Sequence, residues 1–230
     1  MKNIVLLTGA GISAESGIKT FRDADGLWEG HDVMQVASPQ GFAANPELVL
    51  DFYNQRRKQL LTVTPNKAHL AITELQKHFN VTVITQNVDD LHERAGNKNV
   101  LHLHGELLKA RCTKKESDVI DCTKDLNLGD LSKNGKQLRP HIVWFGEEVP
   151  LLEKAAEITQ TADILIIIGT SMQVYPAASL VHYVNNGTPI YFIDPKPSIN
   201  QSDFNNLTII SKTAVNGLPT LVSSLIDTTL

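Results

Sequence analysis

The sequence predicts an α/β protein: a doubly wound parallel sheet with a second, smaller module formed by insertions. Three observations carry this expectation. Short apolar runs rich in branched residues recur at residues 4–8, 81–85 and 164–168, the pattern of strands buried on both faces. Helical stretches alternate with them, as parallel strands require. Each run ends in small or polar residues: Gly9-Ala10-Gly11, Gln86-Asn87-Val88-Asp89 and Gly169-Thr170-Ser171. The carboxyl ends of such strands are where open α/β sheets bind ligands.

The first strand enters a Gly-rich turn, Gly9-Ala10-Gly11-Ile12-Ser13-Ala14-Glu15-Ser16-Gly17. Glycines let a backbone approach a pyrophosphate closely, and free N–H groups at the following turn can receive it. The spacing is not G-x-G-x-x-G, because Ala14 stands at the third position, but a small residue there still permits close approach. A Gly-rich surface turn is the alternative. Phe21-Arg22 and the polar loop Asp23-Ala24-Asp25-Gly26 follow. A loop this long in a compact domain is usually functional or mobile.

Ser38-Pro39 and Asn45-Pro46 each read as an N-cap followed by Pro at the first helical position. The helix from 46 to about 61 carries an apolar stripe at Val49, Phe52, Tyr53 and Leu60. Arg56 interrupts that stripe beside Tyr53. A charge on the inner face needs an anionic partner, and an internal Asp or Glu is the plain alternative to a ligand. Thr64-Pro65 reads as the cap of the next helix, with Ala68, Ile72, Leu75 and Phe79 inward. His69 and His78 on that helix read as partly exposed surface residues.

Residues 99–104 read as one short strand ending at Gly105, with His102 and His104 on one face. A metal site with Asp89 and Asp90 is one reading; a single histidine serving as general base is the other. Residues 112–139 form a Lys-rich polar insert with little periodicity. Pro140 to Glu147 reads either as a strand and turn, or as a sheet edge onto which an extended peptide adds. Residues 153–160 are helical. A helix starts at Tyr175-Pro176 and is closed by Asn186-Gly187. Residues 189–194 form a strand ending in Asp194, an acidic residue placed to bind ribose hydroxyls. A last strand at 207–211 and a closing helix at 218–226 complete the alternation. Residues 1–22, 63–105 and 140–230 are thus assigned to the main Rossmann-like sheet, and 23–62 and 106–139 to the small module, with the site expected between them.

The totals exclude several classes. The 230 residues suit one large domain or one domain with an insert. A net charge of −4 argues against general nucleic-acid binding. There is no transmembrane run of apolar residues, and no signal or transit peptide is expected ahead of the first strand. Two cysteines are too few for a disulfide framework, so a reducing cytoplasm is the expected compartment.

The string G-A-G-I-S-x-E-S-G-I-x-x-F-R from Gly9 to Arg22 resembles the signature of the sirtuins, NAD-dependent protein deacylases. The resemblance extends through Gln86 to Asp89, His104-Gly105, Val143-Trp144-Phe145-Gly146-Glu147, Gly169-Thr170-Ser171 and Leu218-Pro219. Ordered motifs at suitable separations are far more specific than any one alone. The resemblance implies that NAD⁺ and an acylated-lysine protein enter the cleft from opposite sides. The acyl oxygen attacks the ribose carbon bearing nicotinamide; the products are nicotinamide, O-acyl-ADP-ribose and free lysine. It implies His104 as general base, and Asn87 and Asp89 positioning the nicotinamide ribose and carboxamide. Phe21 would shield the reactive carbon and Arg22 lie near the phosphates. Further cofactor contacts are implied at Gly9, Ala10, Gly11, Ile12, Ala14, Gly17, Gln86, Val88, Gly169, Thr170, Ser171, Val174, Asp194, Pro195 and Ala214. Substrate contacts are implied at Val143, Trp144, Phe145, Gly146 and Glu147, the last two pairing with the substrate backbone.

Two departures from the family pattern matter. Sirtuins typically hold a structural zinc with two C-x-x-C pairs, whereas here Cys112 is followed three residues later by Lys115, and Cys122 by Asp125. Two thiolates cannot close a tetrahedral site, so no metal is expected. Secondly, Tyr53-x-x-Arg56 matches the pair that marks the desuccinylase and demalonylase branch, with Arg56 receiving the distal carboxylate of the acyl group. Arg57 lies one residue off that face. The expectation is therefore an NAD-dependent desuccinylase or demalonylase with weaker deacetylase activity, acting as a monomer. An NAD-dependent deacetylase without acidic-acyl preference, an idle NAD- or ADP-ribose-sensing module and a protein ADP-ribosyltransferase are the rival readings.

Overall fold

The structure, a computed structural model, describes residues 1–19, 27, 28, 30–114 and 117–228. In chain order the strands are β1 (Asn3–Thr8), β2 (Leu27–Trp28), β3 (His31–Asp32), β4 (Asn80–Thr85), β5 (Val100–His102), β6 (Gly105–Cys112), β7 (Val119–Asp121), β8 (Leu138–Ile142), β9 (Ile164–Ile168), β10 (Ile190–Ile193) and β11 (Leu207–Ile210). The helices are α1 (Val33–Val36), α2 (Pro39–Ala44), α3 (Pro46–Leu60), α4 (Lys67–Leu75), α5 (Leu91–Arg94), α6 (Leu152–Gln160) and α7 (Ala214–Asp227).

A six-stranded sheet in the order β11-β10-β9-β1-β4-β5 forms the body. All its neighbours run parallel. β1 sits centrally and β9 is buried along its whole length, which is why both read as unbroken apolar runs rather than alternating ones. Residues alternate between two layers. Ile4, Leu6, Val83 and Ile166 pack against α4 and α7; Val5, Leu7, Ile84 and Ile167 pack against α6 and the 3₁₀ segment Ala177–Tyr183. The predicted doubly wound sheet is therefore the observed one.

The small module is a three-stranded antiparallel sheet, β7-β6-β8, together with α1, α2 and α3. Its core joins Val36, Val49, Phe52, Tyr53, Leu107, Ile142 and Trp144. Ser38 and Asn45 cap α2 and α3 as their sequence positions predict, accepting from the Gly41 and Leu48 amides.

Five sequence expectations need correction. α4 is capped by Asn66 rather than Thr64, because Asn66 and His69 form a reciprocal capping box. His69 is consequently fully buried rather than partly exposed. Residues 99–104 are not one strand. Gly105, at φ +81, turns the chain out of the main sheet after His102, and any Cβ there would lie 2.0 Å from His141 O. The aperiodic insert contains β7, and residues 140–142 belong to the small sheet as part of β8. Finally, α7 begins a turn before Leu218, at Ala214, and continues through Pro219.

Candidate active site

A cleft of ≈ 560 Å³ opens at the carboxyl ends of β1, β4 and β9, between the main sheet and the small module. Its floor is the Gly-rich turn. Gly9 N–H donates to Ile168 O at 3.0 Å and Gly11 N–H to Gly169 O at 2.8 Å. A Cβ on Gly11 would stand 2.6 Å from the Gly169 Cα, so the two backbones meet at a distance only glycine allows. Ala10, Ala14, Thr170 and Ser171 line the same end; Ile12 faces the core instead, and Gly17 lies outside the lining. Phe21 and Arg22 fall outside the described residues.

Beyond that floor lies a buried polar chain. Asn87 Nδ2 donates to Ser13 Oγ at 3.1 Å, and Ser13 Oγ donates to Asp89 Oδ2 at 2.9 Å. Asp89 Oδ1 also accepts from the Leu91 amide. Burial raises the Asp89 carboxyl above its ordinary range, opposed by these hydrogen bonds and the His102 charge. Ser13 is fully buried and was not among the predicted contacts; its place inside the Gly-rich string was the available signal.

Histidines line the next edge. His104 lines the cleft with Nδ1 3.0 Å from Gln86 O. Burial lowers its pKa below 6.5, and the Gln86 bond partly opposes that. His102 points elsewhere: Nδ1 lies 3.1 Å from Asn87 O and Nε2 2.8 Å from Glu93 Oε1. Both its nitrogens are therefore engaged, which removes it from the weighed H-x-H metal arrangement. Behind this edge His92, fully buried, bridges Asn97 and Thr8, and Thr8 Oγ1 donates to Thr85 Oγ1 at 2.9 Å. Thr85 Oγ1 in turn accepts from the Asn87 amide.

At the far end Asp194, 2% exposed, caps the Lys196 amide and lines the cleft with Val174 and Pro195. Gln86 Nε2 bonds Thr170 Oγ1 at 3.2 Å. Ala214 is buried behind the lining, whereas Thr213 before it reaches the cleft.

The opposite end is built by α3 and the segment after β8. Tyr53 and Arg56 line it with Val143, Trp144, Phe145 and Gly146. Tyr53 OH accepts from Trp144 Nε1 at 2.9 Å, and burial pushes its pKa well above the usual phenol value, so the hydroxyl keeps its proton. Arg56 stacks its guanidinium 4.9 Å from the Phe52 ring centroid; its Nε is buried without a hydrogen-bond partner. Among the described residues no carboxylate lies at ion-pair distance from it. Arg57, by contrast, is the fully buried arginine of α3, bonded to Asn54 Oδ1 and Leu107 O. Glu147 directs its carboxylate inward, onto Arg139 at 2.6 Å, Arg111 at 3.0 Å and the Trp144 amide at 2.8 Å. Its own amide donates to Trp144 O.

Residues 9–176 match the model of the Sir2 family. The chain belongs to the Sir2 family. It is 61% identical over 227 residues to a Helicobacter pylori protein named NAD-dependent protein deacylase, covering 99% of each. A Bacteroides thetaiotaomicron protein of the same name is 52% identical, over 98% of this chain and 99% of its own length. A crystal structure of a Sir2 homologue–NAD complex superposes with a TM-score of 0.89 at 40% identity, covering all of this chain and 91% of the other. The fold and the family read from the motifs are thus those of the Sir2 proteins.

In this Sir2-family chain the two cysteines of the small module make separate contacts. Cys112 Sγ lies 3.4 Å from Ser132 Oγ, and Cys122 Sγ 3.5 Å from Lys124 O. Among the described residues no group of three or more His, Cys, Asp or Glu side chains converges as a metal site. Asn54 instead clamps α3 to the insert, donating to Leu126 O and accepting from the Leu126 amide.

Proposed function

We propose that this Sir2-family NAD-dependent protein deacylase acts on lysines bearing a short dicarboxylic acyl group, succinyl or malonyl, with weaker action on acetyl-lysine. The observation that supports the acyl preference is Arg56: a cleft-lining cation whose buried Nε lacks a hydrogen-bond partner. Burying an arginine unpaired is costly, and a carboxylate arriving with the substrate removes that cost. Tyr53, protonated and beside it, adds a neutral polar group.

The cleft's residues fit a dinucleotide. The close approach of Gly11 to Gly169 leaves backbone, not side chain, facing a pyrophosphate. In this reading Asp194, which lines the cleft, accepts from ribose hydroxyls, and the Asn87–Ser13–Asp89 chain holds the nicotinamide half. When bound, NAD supplies the scissile bond to nicotinamide and the ribose that receives the acyl group. His104 holds its proton on Nδ1 against Gln86 O, so Nε2 is the lone pair that takes a proton from a hydroxyl in the cleft. β8 is an edge strand, and the segment from Val143 to Gly146 beyond it is suited to an extended peptide. That neither Cys112 nor Cys122 is in a disulfide agrees with a reducing cytoplasm.

A panel of peptides differing only in the lysine acyl group, incubated with NAD and read by mass spectrometry, tests this. The expected result is fastest conversion of succinyl- or malonyl-lysine, with nicotinamide and O-acyl-ADP-ribose formed. Fastest conversion of acetyl-lysine would reduce the reading to a general deacetylase. ADP-ribosylated peptide in place of free lysine would make it a transferase.

A further inference from the structure

His102 donates nothing to the cleft directly, yet it touches the backbone of a residue that lines it. Its Nδ1 faces Asn87 O at 3.1 Å and its Nε2 faces Glu93 Oε1 at 2.8 Å. A carbonyl oxygen and an ionised carboxylate are both acceptors only, so both ring nitrogens must carry protons. The ring, 9% exposed, is strung between α5 and the loop after β4. Asn87 is held at two further points: its amide by Thr85 Oγ1 and its Nδ2 by Ser13 Oγ. The preceding carbonyl, that of Gln86, is held by His104. Two histidines thus anchor two successive carbonyls, one facing the cleft and the other behind it.

We propose that His102 is a positioning residue whose charged form, held by Glu93, fixes the Asn87 main chain and with it the Asn87–Ser13–Asp89 chain. Discharging the ring leaves one N–H for two acceptors. The carboxylate is the stronger acceptor, so the bond to Asn87 O is the one given up. The titratable groups around the ring are Glu93 and His92 on α5, Glu106 on β6 and Asp89 after β4; Lys109, paired with Glu106, acts on Glu93. Glu93 holds the ring above its ordinary value although burial opposes this. Turnover should then fall on the alkaline side as His102 loses its proton, a limb separate from the acid-side rise set by His104.

The inference rests on the reading of this cleft as the NAD site. Its test compares the wild type with Glu93→Gln, which keeps an acceptor at Nε2 but removes the charge. Two readouts are taken: the pH profile of kcat/KM with an acyl-lysine peptide, and histidine ring ¹⁵N spectra of the protein without ligand. Removing the carboxylate should move the alkaline limb to lower pH by at least about one unit, leaving the acid limb in place. The ring spectrum should show His102 doubly protonated at neutral pH in the wild type and singly protonated in Glu93→Gln. A profile that falls uniformly in the variant would make Glu93 merely structural and overturn the proposal. So would a singly protonated His102 in the wild type. A wild type that turns over no acyl-lysine peptide would instead fail the deacylase reading. NAD affinity by calorimetry then decides the role of His102, weakening across the same pH window in support and staying constant against it.

Discussion

The Nδ1 of His104 lies 3.0 Å from the main-chain oxygen of Gln86. Because a carbonyl only accepts, that contact places the proton of a neutral ring on Nδ1 and leaves the lone pair on Nε2. His104→Ala should lower turnover about 10²–10⁴-fold, the usual loss for a general base. NAD affinity, measured by calorimetry, should stay within a few-fold. Burial holds the His104 pKa below 6.5, so the acid limb of the wild-type profile should lie below that pH. Turnover retained in the variant would remove the base assignment.

Glu147 lines the cleft, and its carboxylate is held by Arg139, Arg111 and the Trp144 amide. Arg139 in turn stacks 3.3 Å from the Trp144 ring centroid. Glu147→Ala removes a shared carboxylate from two arginines that are themselves buried. The expected cost is about 3 kcal/mol, the low end for a broken buried pair, since the Glu147 side chain is 17% exposed. Urea unfolding should show this loss. A raised peptide KM with unchanged stability would instead mark Glu147 as a side-chain contact to substrate.

His69 is fully buried, with Nδ1 accepting from the Asn66 amide and Nε2 unpartnered. Burial lowers its pKa from 6.5 to about 4. A histidine depressed in the folded state contributes stability above the unfolded value, and that stability is lost as pH falls from 6.5 toward about 4. At 1.36 kcal/mol per pH unit, the full loss is on the order of 3 kcal/mol. His92 is lowered by burial in the same sense and adds to the acid sensitivity. His69→Gln keeps an acceptor for the capping box but cannot titrate. Its unfolding free energy should depend less steeply on pH across this window. An unchanged slope would place the acid sensitivity elsewhere.

Where a residue's surroundings were local in sequence, they were legible. The runs of β1, β4 and β9 predict a central parallel sheet because strands covered on both faces need no polar residues. Ser38 and Asn45 predict caps because the acceptor and the amide are three residues apart. Arg56 and Arg57 were harder: one residue apart on a helix, they differ by about 100° in direction. The apolar stripe alone suggested that Arg56 was the inward one. The structure sends Arg57 into the core onto Leu107 O and leaves Arg56 at the cleft. The role of His102 was not legible, because it depends on Asn87 and Glu93 from other elements. Nor was Glu147, whose partners Arg111 and Arg139 come from β6 and β8. Such pairings form only when non-neighbouring strands meet.

Selection of an acidic acyl group by Arg56 is tested by comparing turnover of succinyl- and acetyl-lysine peptides in Arg56→Met. A hydrogen bond to a charged group contributes about 1.5–3 kcal/mol. At 1.4 kcal/mol per decade, this is roughly ten- to a hundredfold in kcat/KM. The account predicts that loss for the succinyl peptide alone, with acetyl-lysine turnover held or raised because the unpaired buried Nε is gone. Tyr53→Phe should act in the same direction and more weakly. An equal fall of both activities in Arg56→Met would contradict the account and make Arg56 a structural residue of α3.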